Sequence, residues 1–207
     1  MKVVFLTSHP EGHRAYDYLL EQKDREIVYA NFSGKATGLP DDYSLGISFL
    51  YNHLIPIDQL AVPKRLWLNF HPAPLPDYRG RNVAYHAIMN GEGEFGATLH
   101  YVDETFDTGD IIKVSKFEIE DGDTAGDIAK RARDVCLDLF KEYIPLFLKS
   151  EKPMGFRQLG GTYYKKTEID ECIELTVAQE RQIRAITATP YHAHTIINGR
   201  KYNIIPA

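Results

Sequence analysis

Asn69 and His71 stand two positions apart at the end of an apolar run, RLWLNF, and Pro72, Pro74 and Pro76 follow within five residues. Residues two apart on a strand share a face, so this spacing predicts an amide and an imidazole side by side at a strand end. The prolines fix backbone dihedrals and remove donors, which predicts a stiff turn holding the pair at little entropic cost. Further along, Asp107 lies in the loop DETFDTG, where Thr108 and Gly109 allow a close turn. The three side chains make chemical sense together. His71 can accept a proton or carry positive charge, Asn69 can donate to an oxyanion, and Asp107 can orient the imidazole and favour its protonated form. No Ser or Cys nucleophile is required. A histidine taken alone is more often a core residue donating to a carbonyl; the combination carries the catalytic reading.

These residues must be positioned by a sheet. KVVFLT reads as a buried strand, and SHPEGH then turns into a helical segment over 13–22. Further strands are expected in REIVYANF, YSLGISFLYN and RLWLNF, with a short helix or turn around PIDQL. Strands alternating with helical stretches indicate an α/β, Rossmann-like wound sheet, largely parallel, whose ligands bind beyond the carboxyl ends of the strands. NVAYHAIMNG predicts a short helix closed by Gly91, and FGATLHYV and DIIKVSKFEIE two strands flanking the Asp107 loop. Thr124, with Asp127 three residues on, predicts the N-cap of the longest helix, whose apolar spacing drifts near Pro145. Residues 150–175 look loop-like. A C-terminal helix over TVAQERQIRAIT and a β-hairpin of YHAHTII and KYNII around NGR complete the expectation. The expected organisation is a catalytic domain over 1–150 and an extension over 151–207.

The 207 residues suffice for one full core. A formal charge of −5 without a Lys/Arg run excludes broad binding to nucleic acid, while leaving room for a local anion site. Cys136 and Cys172 lack metal-ligand spacing and read as reduced thiols, favouring a cytoplasmic protein. No signal peptide or run long enough to span a bilayer is recognised. His192 and His194 share strand parity but have no third ligand in sequence, so no metal is expected.

The segments NFHPAPLPDYRG and GATLHYVDETFDTGDII closely resemble the folate-dependent formyltransferase family. The resemblance is strong over about residues 45–115. It implies that Asn69, His71 and Asp107 are the catalytic set and that a formyl group passes from N10-formyltetrahydrofolate to a substrate amine. GGTYYKK and the terminal RAITATPY and INGRK look most like the family members that N-formylate nucleotide-linked amino sugars. The chain has no evident room for the additional barrel of the methionyl-tRNA members, and SHPEGH departs from the phosphate loop of the purine-pathway member, which acts on glycinamide ribonucleotide. From their places near the site, Arg79, Gly80 and Asp103 are expected to meet the folate, and Ser8, His9, His13, Arg81 and Tyr163 the sugar nucleotide, with Ser8 to His13 at the end of the first strand beside a helix N-terminus. Arg79 and Arg81 read equally well as a solvated loop anchored by carboxylates, and His100 as a strand residue facing the pocket. Lys165, Lys166, Tyr164 and Tyr191 are further candidates near the acceptor. The terminal hairpin, too short to be stable alone, predicts a homodimer.

Overall fold

The computed structural model of the chain describes residues 1–23 and 25–165, and the backbone of 194–197 and 200–203. A six-stranded sheet in the order β2-β1-β3-β4-β6-β7 forms the centre, built from β1 (Lys2–Leu6), β2 (Glu26–Asn31), β3 (Leu45–Phe49), β4 (Leu66–His71), β6 (Glu94–Tyr101) and β7 (Ile111–Glu118). The first four pair in parallel, whereas β6 is antiparallel to both β4 and β7. Only β6 therefore runs against the rest, and the sheet is largely parallel in direction.

Period-two alternation divides each strand between two cores. Val3 and Phe5 of β1, Ile47 and Phe49 of β3, and Leu68 and Phe70 of β4 pack with α1 (Gly12–Glu21) and α4 (Ala125–Leu148) on one face. Val4, Leu6 and Trp67 pack with Tyr43 and Ile55 on the other. Phe140 of α4 is fully buried at the centre of the first face, its ring 5.1 Å from Phe70, 5.5 Å from Phe49 and 6.2 Å from Phe5. The remaining helices are α2 (Ile57–Leu60) and α3 (Val83–Asn90), the latter closed by Gly91 in the left-handed conformation (φ 70°).

The long helix starts as its sequence indicates, with a capping box in which Thr124 Oγ1 accepts from the Asp127 amide and Asp127 Oδ2 from the Thr124 amide. Pro145 lies inside α4 instead of ending it. A proline has no N–H for the carbonyl four residues back, and that carbonyl, on Lys141, accepts from the Tyr18 hydroxyl of α1 at 3.1 Å.

The strand order reverses between β1 and β3, and the loops that follow these two strands meet there, with Asn52 N donating to Ser8 Oγ at 3.2 Å. Such a switch point is where wound sheets bind ligands. Two short strands, β5 (Arg79–Gly80) and β8 (Tyr163–Tyr164), form a parallel pair that the sequence does not announce. Two residues carry no periodicity, and the pairing spans more than eighty positions. Strands β9 (His194–Ile197) and β10 (Arg200–Asn203) pair antiparallel, as the hairpin reading expects. The C-terminal helix expected over 176–187, Lys166, Tyr191 and His192 lie outside the described residues. Truncating Phe140 to Ala should lower stability by about 3–5 kcal/mol, measured as an earlier urea midpoint at unchanged slope.

Candidate active site

Asn69 and His71 share a face of β4, opposite the face that Leu68 and Phe70 turn to α4. Their partners on β6 are His100 and Thr98. Thr98 anchors the proline turn, accepting from the Leu75 amide at 2.9 Å and donating to the Ala73 carbonyl at 2.7 Å. The turn, with a cis peptide between Leu75 and Pro76, delivers Tyr78, whose carbonyl accepts from His71 Nε2 at 2.9 Å. A carbonyl only accepts, so Nε2 carries a hydrogen. Nδ1 of the same ring lies 3.4 Å from Asp107 Oδ1.

Asp107 is the hub of the site. Its Oδ1 also accepts from Asn69 Nδ2 at 3.2 Å and lies 3.8 Å from His100 Nε2, and its Oδ2 accepts from the Gly80 amide at 3.0 Å. The side chain is 10% exposed. Burial alone would raise its pKa; the His71 charge and the Gly80 N–H outweigh burial and hold the carboxyl well below the usual carboxylate range.

Asn69 is fully committed in this geometry. Ser48 Oγ donates to its Oδ1 at 2.7 Å, and Nδ2 faces both His100 Nε2 at 2.9 Å and Asp107 Oδ1. The carboxylate fixes the amide orientation, because the flipped form would set oxygen against oxygen. His100 Nδ1 lies 2.7 Å from the Tyr101 carbonyl and so donates, leaving Nε2 to accept from Asn69. Sequence reasoning left His100 undecided and missed Ser48; a buried Ser in the otherwise apolar strand LGISF was the available signal.

Asn69, His71 and Asp107 line a cavity of about 530 Å³ that also takes in His9, Leu50, Tyr51, Asn52, Gly80, Arg81, Asn82, Phe106, Arg133, Tyr163 and Lys165. Of the residues assigned from sequence, His9, Gly80, Arg81 and Tyr163 reach it beside the three central ones. Ser8 instead joins the loops after β1 and β3, and His13 stacks on Phe32 at 4.6 Å. Arg79 donates to the Gly160 carbonyl at 2.6 Å, and Asp103 organises its own loop by accepting from the Thr105 amide and the Thr108 hydroxyl. Arg133, unforeseen because α4 was read for its apolar stripe, reaches the rim and donates through Nε to Glu11 Oε2 at 2.8 Å. Burial, followed by the Arg133 charge, lowers the His9 pKa against the opposing effect of Glu11. On the far side of Asn69 and Asp107 a smaller recess of about 30 Å³ is bounded by Tyr51, Leu54, Ile55, His100, Val102 and Phe106. Among the described residues no His, Cys, Asp or Glu side chains are grouped in threes to hold a metal ion.

A Rossmann-like sheet with an Asn, His and Asp meeting beyond its strand ends defines a class, and residues 44–144 match the formyl transferase family model. The chain carries a formyl transferase domain. It is 38% identical over 169 residues to the GDP-perosamine N-formyltransferase of Brucella melitensis, an alignment covering 79% of this chain and 64% of that protein. The chain thus spans under two thirds of that relative's length. In fold it is similar to a 4-N formyltransferase from Francisella tularensis, at a TM-score of 0.82 and 22% identity over 98% of this chain and 96% of the other. It is also similar to the N-formyltransferase of Helicobacter canadensis solved with folinic acid and dTDP-3-aminofucose, at a TM-score of 0.77 and 23% identity over 96% and 85%.

The depressed Asp107 pKa ties the site to stability. A carboxylate whose folded pKa lies below its unfolded value, about 4, contributes stability that is fully present above that value and is lost as pH falls through the folded one. The urea midpoint of the wild-type protein should exceed that of Asp107→Asn at neutral pH, and the gap should close progressively below about pH 4.

Proposed function

We propose that this protein transfers a formyl group from N10-formyltetrahydrofolate to the amine of a nucleotide-linked amino sugar. The observation that carries the reading is the convergence of Asn69 and His71 on one oxygen of Asp107, inside a formyl transferase domain. The acceptor reading draws on the cavity itself. Apart from Asp107 its fixed charges are cationic, from Arg81, Arg133 and Lys165, which suits a diphosphate. It draws also on the GDP-perosamine N-formyltransferase relative and on the ligands of the Helicobacter canadensis enzyme. The folate ring is assigned to the side of the smaller recess, where Leu54 and Phe106 are 46% and 39% exposed and offer an apolar rim.

In this mechanism the neutral amine attacks the formyl carbon, and the carbonyl oxygen becomes an oxyanion between Asn69 and His71. Both donors rest on Asp107 at 3.2 and 3.4 Å, contacts long enough to be shared with an arriving anion; such bonds commonly tighten only in the reacting complex. As the intermediate collapses, the C–N bond to the folate breaks, and the proton shed by the attacking nitrogen passes by way of His71 to N10 of the departing tetrahydrofolate. Asp107 orients His71 and neutralises its charge throughout. Residues 1–150 form the catalytic domain in this reading, and 151–207 an extension whose first part crosses the site.

Release of tetrahydrofolate, followed by absorbance, and a formyl mass increment on the acceptor test the reading. They should appear with nucleotide-linked amino sugars and not with methionyl-tRNA or glycinamide ribonucleotide. Folate binding without turnover on any amine would instead mark a silent binding relative. Asp107→Asn should lower kcat by roughly 100-fold or more while folate binding persists. Adding His71→Ala should then cost far less than His71→Ala alone, since the residues act as one unit.

We also infer a cytoplasmic homodimer. The buried free thiol of Cys136 suits a reducing compartment, and no helix among the described residues is long and apolar enough to cross a membrane. Strands β9 and β10 form a two-stranded sheet apart from the main one, and such a ribbon gains stability from a further partner. Light scattering at micromolar concentration should return twice the chain mass; a monomer would sink the inference.

A further inference from the structure

Asp107 adopts φ 57°, in the left-handed region that a non-glycine residue occupies at a cost. Such a residue stays there only when its surroundings over-determine it. The loop's internal bonds, from Asp103 to Thr105 and Thr108, lie on the N-terminal side of Asp107 or skip across it. What grips the Asp107 backbone is a side chain 51 positions away. Gln158 Nε2 donates to the Asp107 carbonyl at 3.0 Å and to the Gly109 carbonyl at 2.7 Å, using both amide hydrogens. Its Oε1 is buried without a hydrogen-bond partner among the described residues. The amide cannot be reversed, because its oxygen would then face two carbonyl oxygens. A buried amide with an idle acceptor half is a poor choice for packing; its donor half is what the position uses.

The same segment holds the other partner of His71. Thr162 Oγ1 accepts from the Tyr78 amide at 2.9 Å, and the Thr162 carbonyl accepts from the Arg79 amide at 3.0 Å. Tyr78 in turn supplies the carbonyl that receives His71 Nε2. Gly161 (φ +96°) passes so close to Pro76 that an added Cβ would lie 2.0 Å from the Pro76 carbonyl. At the near end, Phe156 exchanges both backbone hydrogen bonds with Ile111. The contacts on the two ring nitrogens of His71, the Asp107 carboxylate and the Tyr78 carbonyl, therefore hang from residues four apart on one strap.

We propose that Gln158 is a positioning residue for formyl transfer, holding the Asp107 backbone so that the carboxylate meets Asn69 and His71, with Thr162 holding Tyr78 from the same strap. This rests on the formyltransferase reading for its activity readout alone. Gln158→Met keeps the side-chain volume and removes both donors. It should lower kcat by roughly 10–100-fold, the effect of misplacing a reacting group by a fraction of an ångström to an ångström, with KM for the acceptor within about two-fold. In an Asp107→Asn background the same substitution should cost little, because the group it positions is already disabled. Gln158→Asn, which retains the amide at shorter reach and should fold as readily, should fall between wild type and Gln158→Met. Independently of turnover, the ring ¹⁵N shifts of His71 in Gln158→Met should move towards those of Asp107→Asn. If wild-type protein transfers no formyl group, the functional reading fails and the His71 shifts still decide the positioning claim. Unmoved His71 shifts in folded Gln158→Met, or a kcat loss that multiplies fully with Asp107→Asn, would overturn it.

Discussion

A single buried carboxylate organises this molecule's working end. Asp107 has been taken out of water, and an isolated charge in that position would be costly. It is tolerated because the Asn69 amide, the His71 imidazole and a backbone N–H are aimed at it. The donors come from two separate parts of the chain: Asn69 and His71 from β4, and Gly80 from the turn beyond the prolines. The requirement to satisfy one charge therefore fixes the end of β4 against the loop between β6 and β7. β6, antiparallel to β4, sets His100 across from Asn69, and its C-terminal end runs directly into the loop that carries Asp107.

The arrangement is preorganised and self-satisfied. Every hydrogen that Asn69 can donate already has an acceptor, and the His71 ring faces an acceptor on each side. In the proposed reaction an incoming oxyanion creates no new donors; it competes for existing ones beside a carboxylate that stays ionised. That competition favours a species carrying developed negative charge over a neutral carbonyl, which is the discrimination a catalyst needs.

The sequence made some of this legible and concealed the rest for physical reasons. The strands showed because each is an apolar run bounded by turn residues, and the helix start at Thr124 showed because a capping box is a local four-residue device. Asn69 and His71 could be placed together from strand parity alone. Asp107 could be named from its loop and its chemistry, but that a loop after the next strand folds back onto β4 is a property of the sheet, and family resemblance strengthened it. His100 was ambiguous because parity shows which face a residue takes without showing what faces it. Arg133, Ser48 and Gln158 are single residues whose partners lie 21 to 122 positions away, and nothing periodic marks them. Ser8, His13, Arg79 and Asp103 have the chemistry of ligand contacts, yet in this structure their recorded bonds and ring contacts go to the protein itself.

The two sides of the large cavity are secured by different forces. On the side of His9 and Arg133, helices α1 and α4 are joined by ionic contacts, Glu11 with Arg133 and Arg14 with Asp134, the latter pair largely open to solvent. On the strap side, Thr162 and Tyr164 hold the turn through main-chain bonds to Arg79 and Arg81. Dissolved ions weaken pairs of exposed charges and act much less on partly buried ones, and they leave neutral amide bonds nearly untouched. Rising salt therefore weakens the exposed Arg14–Asp134 contact first, while the apolar packing of α1 on α4 and the main-chain bonds around His71 keep their strength.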